Sequence, residues 1–232
     1  MVIFFTQNSL YLVKNTVMAK RTPKSLELLE PILIDTFGLE RLIPPQPLLS
    51  EWLSATGALD NDDERLLQKT LLKIITDGDS WNEEELKMKF ISFIIFLADF
   101  ENPIRTYYDR EIGEYVGKHY LKCKSDMMLS KGIGELIKMP YFFMHEYKRE
   151  KKYSGDPIGQ MLGAMLIGQA KNNNDRPIYG CYVQGRFWFF SVLVGNQYVI
   201  SNSFNSSELE DAKQIIYILR KLKEIILERL MD

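Results

Sequence analysis

The stretch Tyr141-Phe-Phe-Met-His-Glu-Tyr-Lys-Arg149 is the most informative part of this sequence. Its aromatic content favours a β-strand, and alternation along a strand puts residues two apart on the same face. Glu146 and Lys148 are therefore predicted to share a face with Phe142 and Met144. A carboxylate and an ammonium at the end of an apolar face are costly to bury unless they pair or bind something. The pattern indicates either a metal-binding carboxylate beside a lysine or an exposed salt bridge where the strand emerges into solvent.

Strand and helix signals continue on both sides of this segment. The helix after it is predicted to start at Asp156-Pro157, an N-cap followed by proline, and to run to about Lys171. Gln184-Gly185 and Gly195-Asn196 are typical of hairpin turns. Further strands are expected over residues 106–116, 118–129, 178–183, 187–194 and 198–203. This order predicts a mixed α/β (α+β) domain over residues 81–232.

The first eighty residues are predicted to be helical, unlike the α/β domain that follows. Residues 1–80 have helical spacing, and we expect a helical N-terminal region there, including a helix over 25–37 that Pro31 kinks or divides. Asn61 with Glu64 is expected to start another helix.

The same start signal recurs at the edge of the α/β domain. Asn82 with Glu85 has the spacing of a capping box and predicts a helix through Ala98. Capping of this helix is therefore a structural explanation for Glu85, an alternative to a role in a functional site.

The bulk composition is that of a folded protein. Of 232 residues, 46% are hydrophobic and 26% are charged. The two cysteines, Cys123 and Cys181, are far apart and have no CxxC partner, so a disulfide framework or a structural zinc site is not expected. The longest apolar run, Phe90–Ala98, is too short to span a membrane, and the opening residues lack the features of a signal peptide. We expect a cytoplasmic protein with no membrane partner.

Charge is distributed unevenly along the chain. Residues 1–104 carry 10 basic and 16 acidic side chains, residues 105–152 carry 11 and 7, and residues 153–232 carry 8 of each. The middle segment alone has a basic excess, which favours an anionic partner. That excess is modest for a nucleic-acid-binding protein.

Asp126 completes a chemically meaningful set. It lies on the predicted strand before Glu146, 20 residues earlier, so a hairpin-like return could bring the two carboxylates together. Hard oxygen ligands of this kind hold Mg²⁺, and Lys148 could stabilise charge on a phosphoryl group. Lys122 and Lys124 share the Asp126 side of their strand, where they could line a backbone-binding surface or a solvated face.

These residues resemble a known family. Lys124-Ser-Asp126 and His145-Glu-Tyr-Lys148, followed by a helix containing Gln160, resemble the PD-(D/E)XK nuclease superfamily, which includes restriction endonucleases and repair exonucleases. Tyr179-Gly180 and the stretch 185–189 resemble later strands of its type I restriction branch, and transposase-linked nucleases are another near branch. The resemblance covers residues 84–204. Serine rather than proline precedes Asp126, which departs from the family pattern.

The resemblance implies a restriction endonuclease-like fold, a central mixed sheet flanked by helices, and a set of roles. Asp126 and Glu146 would bind Mg²⁺ or Mn²⁺ with the carbonyl of Tyr147, Lys148 would be the catalytic lysine, and Gln160 an active-site helper. Some members add a glutamate from the preceding helix, for which Glu85 is the candidate.

The predicted activity is hydrolysis of DNA phosphodiester bonds by metal-activated water. Lys122, Lys124 and Arg149 are the predicted DNA-binding residues. The alternative is a nuclease-like fold that has lost catalysis and binds nucleic acid or protein.

Three other features have structural interpretations. His145 alternates to the face opposite Glu146 and is expected to pack in the core. Core packing is also expected of the aromatic run 187–190, with base stacking as the alternative. The apolar stripe of the last helix, which consists of Ile215, Ile218, Leu222 and Ile225, predicts a core face, with a homodimer seam as the alternative.

Overall fold

The computed structural model describes residues 23–148 and 155–231 and shows a mixed α/β fold. The helices are α1 (Glu30–Phe37), α2 (Pro47–Leu53), α3 (Asn61–Asp77), α4 (Glu83–Leu86), α5 (Ser92–Ala98), α6 (Pro157–Asn172) and α7 (Leu209–Ile225). A 3-10 turn covers Gly78–Ser80, and π-helical turns cover Lys87–Ile91 and Ile226–Leu230. The strands are β1 (Glu40–Leu42), β2 (Arg105–Val116), β3 (His119–Ile133), β4 (Leu136–Lys148), β5 (Ile178–Gln184), β6 (Phe187–Val194), β7 (Gln197–Ile200) and β8 (Phe204–Asn205).

All described strands belong to one mixed sheet. Their order is β1-β7-β6-β5-β4-β3-β2, and β8 pairs with β6. The pairs β2–β3, β3–β4, β5–β6 and β6–β7 are antiparallel, whereas β4–β5 and β1–β7 are parallel. A parallel neighbour requires a crossover connection, and α6 provides it between β4 and β5. The strand that carries Glu146 and Lys148 is therefore central in the sheet.

The start of α6 is fixed by its N-cap and by a close contact with the segment before α1. Asp156 accepts hydrogen bonds from the Gly159 N–H at 3.0 Å and from the Glu30 N–H at 2.7 Å. A Cβ on Gly159 would lie 2.4 Å from the Leu28 carbonyl oxygen, so this close approach of two backbones requires glycine. The predicted start of the helix at Asp156-Pro157 is confirmed.

The apolar core lies on both faces of the sheet. Trp52 of α2 is fully buried and makes edge contacts with the rings of Phe143, Tyr179 and Phe190. Its indole N–H donates to the Ile218 carbonyl of α7 at 2.8 Å. The N-terminal helices thus share a core with the central strands, while α1 packs with α6 on the opposite face.

Three expectations for the N-terminal region are corrected. The predicted helix over 25–37 begins only at Glu30, because Pro31 lies in its first turn, where the missing N–H has no intrahelical partner to lose. The region is also not wholly helical, since Glu40–Leu42 forms β1 and pairs with β7. Asp60, rather than Asn61, caps α3 by accepting the N–H groups of Asp62 and Asp63.

The β3–β4 hairpin is longer than its sequence suggests. The predicted strand ends at residue 129, but β3 continues to Ile133, and the two-residue turn Gly134-Glu135, in which Gly134 has φ of 56°, reverses the chain. The register shifts between Ser130 and Lys131, so that Pro140 falls in an irregularity. Proline is tolerated there because it has no N–H to contribute to a regular ladder.

The stripe on α7 is buried inside the chain. Its four members, Ile215, Ile218, Leu222 and Ile225, belong to the core that contains the central strands. The core-face prediction is confirmed, and the burial of these four residues leaves no apolar surface on the stripe for a second copy, so a homodimer through the C-terminal helix stays a prediction. Within the described ranges, every helix is too short or too polar to cross a membrane.

Candidate active site

The candidate site lies where β3 and β4 separate. The last ladder pair between them on this side is Met127 with His145. Beyond it, the Asp126 carboxylate replaces a backbone acceptor: its Oδ2 accepts the Tyr147 N–H at 2.8 Å. A strand residue presents its N–H and C=O to the same neighbour. The Tyr147 carbonyl therefore faces the side of Asp126 as well.

The pairing with β2 is also interrupted at this point. The register passes from Tyr108 with Met127 to Arg110 with Ser125, and it skips Asp109 with Asp126. Asp109 has φ of 58°, a left-handed conformation that aspartate tolerates better than most residues. Asp126 is thus free of regular ladder geometry on both sides, which leaves its carboxylate available for other contacts.

Glu146 and Lys148 form a buried ion pair, as their shared strand face predicts. Their Oε1 and Nζ atoms are 2.6 Å apart, and Glu146 is only 7% exposed. The alternative of an exposed salt bridge is therefore wrong. Burial, reinforced by the negative charge of Asp126 and opposed by Lys148, raises the pKa of Glu146 to about 7. Asp126 and Glu146 are thus electrostatically linked at one end of adjacent strands.

Lys87 supplies a second ammonium, which the sequence analysis did not find. It extends from the π-helical turn that follows α4 and donates to Asp126 Oδ1 at 2.8 Å. It also lies 3.1 Å from Glu83 and 3.3 Å from Glu84. Burial alone would lower the pKa of Lys87, but the hydrogen bonds and charges of Asp126 and Glu83 outweigh it and raise the pKa. Lys87 is therefore a fully charged counter-ion of Asp126.

Glu83, rather than Glu85, is the α4 carboxylate that faces the site. Its oxygens are 3.1 Å from Lys87 and 3.9 Å from Lys148, so it links the two ammonium groups. Glu85 closes the capping box with Asn82 and pairs with Lys89 at 2.6 Å. The capping interpretation of Glu85 is confirmed, and its assignment to the site is corrected to Glu83, two residues earlier.

The donor set suits a hard divalent cation in its chemistry. The carboxylates of Glu83, Asp126 and Glu146 outnumber the ammonium groups of Lys87 and Lys148 by three to two. Mg²⁺ commonly uses one or two carboxylates and keeps several waters, so Asp126, Glu146 and the Tyr147 carbonyl would suffice. Within residues 23–148 and 155–231, however, no three His, Cys, Asp or Glu side chains converge on a common point. A cation bound to Asp126 or Glu146 would compete with the ammonium that each carboxylate already contacts.

Gln160 lies in the first turn of α6 and does not contact the charged set. Its side chain makes no hydrogen bond within the described ranges, and its Oε1 is buried without a partner. That atom lies near Gly155, where the described chain resumes before α6. Its role as a helper stays a prediction.

The predicted DNA-binding lysines are engaged on the surface. Lys122 pairs with Glu111 at 2.9 Å, and Lys124 pairs with Asp109 at 2.7 Å. Both are well exposed, so each could exchange its carboxylate for a phosphate. Arg149 lies outside the described residues. DNA contact by all three stays a prediction.

The other candidates pack in the core. His145 is fully buried among aromatic rings including Trp188, and burial holds its pKa well below the ordinary value, so it is a neutral packing residue as expected. Trp188 and Phe190 are fully buried, which confirms core packing for them. Phe189 stacks on Tyr182 with ring centroids 4.5 Å apart.

No family model matches the sequence, and no curated protein matches it.

Proposed function

We propose that this protein is a metal-dependent nuclease that hydrolyses DNA phosphodiester bonds, built on a restriction endonuclease-like fold. The observation that supports the proposal is that Asp126 accepts the Tyr147 N–H, between Glu146 and Lys148 in sequence, and that its charge contributes to the raised Glu146 pKa. Two carboxylates and a lysine on adjacent strands supply the groups that metal-assisted phosphodiester hydrolysis uses.

The architecture supports the same proposal. The strand with Glu146 is central in a mixed sheet with helices on both faces. The helix that contains Gln160 follows it and crosses to the next, parallel strand. Both features agree with what the resemblance implies. The free thiols of Cys123 and Cys181 agree with a reducing, cytoplasmic location, which stays a prediction.

Each side chain has a distinct task in this proposal. Asp126, Glu146 and the Tyr147 carbonyl would hold Mg²⁺ or Mn²⁺, which when bound polarises a phosphate and lowers the pKa of a bound water. Lys148 is held beside Glu146 at 2.6 Å, where its ammonium stabilises negative charge that builds on a phosphoryl group. Lys87 and Glu83 position Asp126 and Lys148 before the substrate arrives.

The test is cleavage of single-stranded, duplex and branched DNA with Mg²⁺ or Mn²⁺. We expect Asp126→Ala and Lys148→Ala each to reduce the rate by at least about 100-fold, the usual cost of removing one preorganised charge-stabilising group. Lys138→Ala is the matched control, because Lys138 is an exposed lysine on the same strand, at its other end. Cleavage that survives Lys148→Ala, or no cleavage of any DNA, contradicts the proposal.

A retired nuclease fold used for binding is the second candidate. The observation in its favour is that Lys87 and Lys148 already neutralise Asp126 and Glu146. Calorimetric titration with Mn²⁺ separates the two: an active nuclease shows a site that Asp126→Ala removes, and an inert fold shows none.

A further inference from the structure

Three neighbouring cavities meet at Tyr108, next to the candidate site. The first, of about 390 Å³, is bounded by Asp126, Lys87 and Tyr108. The second, of about 530 Å³, shares Tyr108 and Ser92 with it. The third, of about 740 Å³, shares Tyr108 with both. Together they form a trough along α5 and β2, which we call the Tyr108 trough, and each cavity is in the size range of ligand sites, roughly 300–1,000 Å³.

Large apolar side chains on the walls of the trough are unusually exposed to solvent. Met88 of the π-helical turn and Phe96 of α5 are 70% and 71% exposed, and Tyr108 is 50% exposed. A cluster of exposed apolar side chains around a concave surface marks a contact site rather than ordinary surface. Two of the three are aromatic, which suits a flat, unsaturated ligand.

Most acidic groups of the trough are already paired with basic residues. Asp109 contacts Lys124 at 2.7 Å, Asp63 contacts Arg220 at 2.9 Å and Asp99 contacts Lys223 at 3.2 Å. Glu135 pairs with Arg110. These pairs leave the trough without a large excess of negative charge, in spite of its acidic composition.

Arg105 is the exception on the basic side. It lines the third cavity next to Tyr108, and within the described ranges its guanidinium forms no ion pair, while its Nε is buried without a hydrogen-bond partner. A guanidinium without an ion pair is available to bind a phosphate. The trough therefore leads from Asp126 to the exposed ring of Tyr108 and then to the cavity that Arg105 lines.

Building on the proposed nuclease activity, we propose that the Tyr108 trough binds a single DNA strand whose base beside the scissile phosphate is unpaired. The base would lie in the first cavity against Tyr108 and Met88, and Arg105 would contact a phosphate of a neighbouring nucleotide. A base in an intact duplex is stacked and paired, so it cannot present its face to Tyr108 without being extruded. The inferred substrate class is single-stranded or frayed DNA.

The test measures binding without cleavage. Fluorescence anisotropy in EDTA compares a labelled oligonucleotide as a single strand and as a blunt duplex. We expect the single strand to bind at least about tenfold more tightly, and Tyr108→Leu to weaken its binding by about tenfold, the effect of losing one base–aromatic stack. Tyr115→Leu is the matched control, because Tyr115 is a 54% exposed tyrosine on the same strand and lines none of the three cavities.

Two further variants keep the test decisive if Tyr108→Leu unfolds. Phe96 is exposed, so Phe96→Ala should leave the thermal unfolding temperature unchanged and still weaken single-strand binding several-fold. Arg105→Gln should lower the slope of log affinity against log salt by about 0.7, the value for one phosphate contact on a single strand. The proposal that the trough binds single-stranded DNA is overturned if both DNA forms bind with equal affinity, or if these variants bind the single strand with wild-type affinity.

Cleavage with Mg²⁺, measured in parallel, distinguishes failure of the trough from failure of the nuclease. Duplex cleavage that depends on Asp126, together with single-strand binding that ignores Tyr108, overturns the trough alone. Single-strand binding that depends on Tyr108, in a protein that cuts no DNA, supports the trough and overturns the nuclease.

Discussion

Replacing Lys87 with methionine should make the site bind Mn²⁺ more tightly. The Lys87 ammonium lies 2.8 Å from Asp126 Oδ1, so a metal ion that binds this oxygen must compete with the ion pair. The two side chains are only 18% and 12% exposed, so solvent screens the interaction weakly. A hydrogen bond between charged groups contributes about 1.5–3 kcal/mol. Methionine preserves the length of the side chain and removes that competition.

The expected gain in Mn²⁺ affinity is therefore at least about tenfold, since 1.4 kcal/mol corresponds to a factor of ten. Isothermal titration calorimetry measures it, at a pH above the Glu146 pKa of about 7 so that Glu146 is charged. Lys89→Met is the control, because Lys89 pairs with Glu85 outside the site, two residues further along. If Lys87→Met binds Mn²⁺ no more tightly than the wild type, Lys87 does not occupy the metal position and the reasoning is wrong.

Further expectations follow from the same contacts. In the folded, metal-free protein the pKa of Glu146 is about 7, against 4.5 in the unfolded chain, so the folded state is stabilised by protonation. The free energy of unfolding should therefore fall as pH rises from 4.5 to 7, by about 3 kcal/mol at about 1.4 kcal/mol per pKa unit. Urea unfolding measures this loss, and Glu146→Gln should lack it. Glu83→Gln should weaken Mn²⁺ binding in calorimetry, because it removes a carboxylate that faces both Lys87 and Lys148. Glu85→Gln is the matched control: it should leave Mn²⁺ binding unchanged, and its amide oxygen can still close the capping box with Asn82, so equal effects on Mn²⁺ would contradict the assignment. Gly159→Ala should destabilise the fold by about 1–3 kcal/mol in urea unfolding, because its Cβ would meet the Leu28 carbonyl oxygen at 2.4 Å; a neutral effect would show that α1 can move aside.

Local signals in the sequence predicted the parts of the fold that local chemistry decides. The Asp156-Pro157 start of α6, the Asn82–Glu85 capping box and the hairpin turn at Gly185 depend on neighbours within four residues, and each is present. The alternation that puts Glu146 and Lys148 on one face is equally local. The three-residue strand β1 is different, because its pairing with β7 joins residues about 157 positions apart, and nothing within three residues specifies a partner.

The part of the site that the sequence did not reveal is also the part made by distant contacts. Lys87 is 39 residues from Asp126, and no motif contains both. Glu83 and Glu85 are separated by two residues on a helix, and residues two apart do not face the same way. The Asn82 cap uses Glu85 and thereby points Glu83 at the lysines. The capping box therefore sets the rotation of α4 and decides which carboxylate reaches the site.

Repulsion among the carboxylates of the site explains why Lys87 pairs with Asp126, a proposed metal ligand. Glu83, Asp126 and Glu146 in a largely buried space would repel one another, and the raised Glu146 pKa records that repulsion together with burial. Lys87 and Lys148 offset it, so that the carboxylates can be held together before any metal arrives. If metal binding breaks the ion pair between Lys87 and Asp126, the Lys87 ammonium can turn into the first cavity of the Tyr108 trough, which Lys87 lines. An ammonium released there would lie near the scissile phosphate, beside the base that the proposal puts in this cavity, so that loading of the carboxylates and binding of DNA would favour each other.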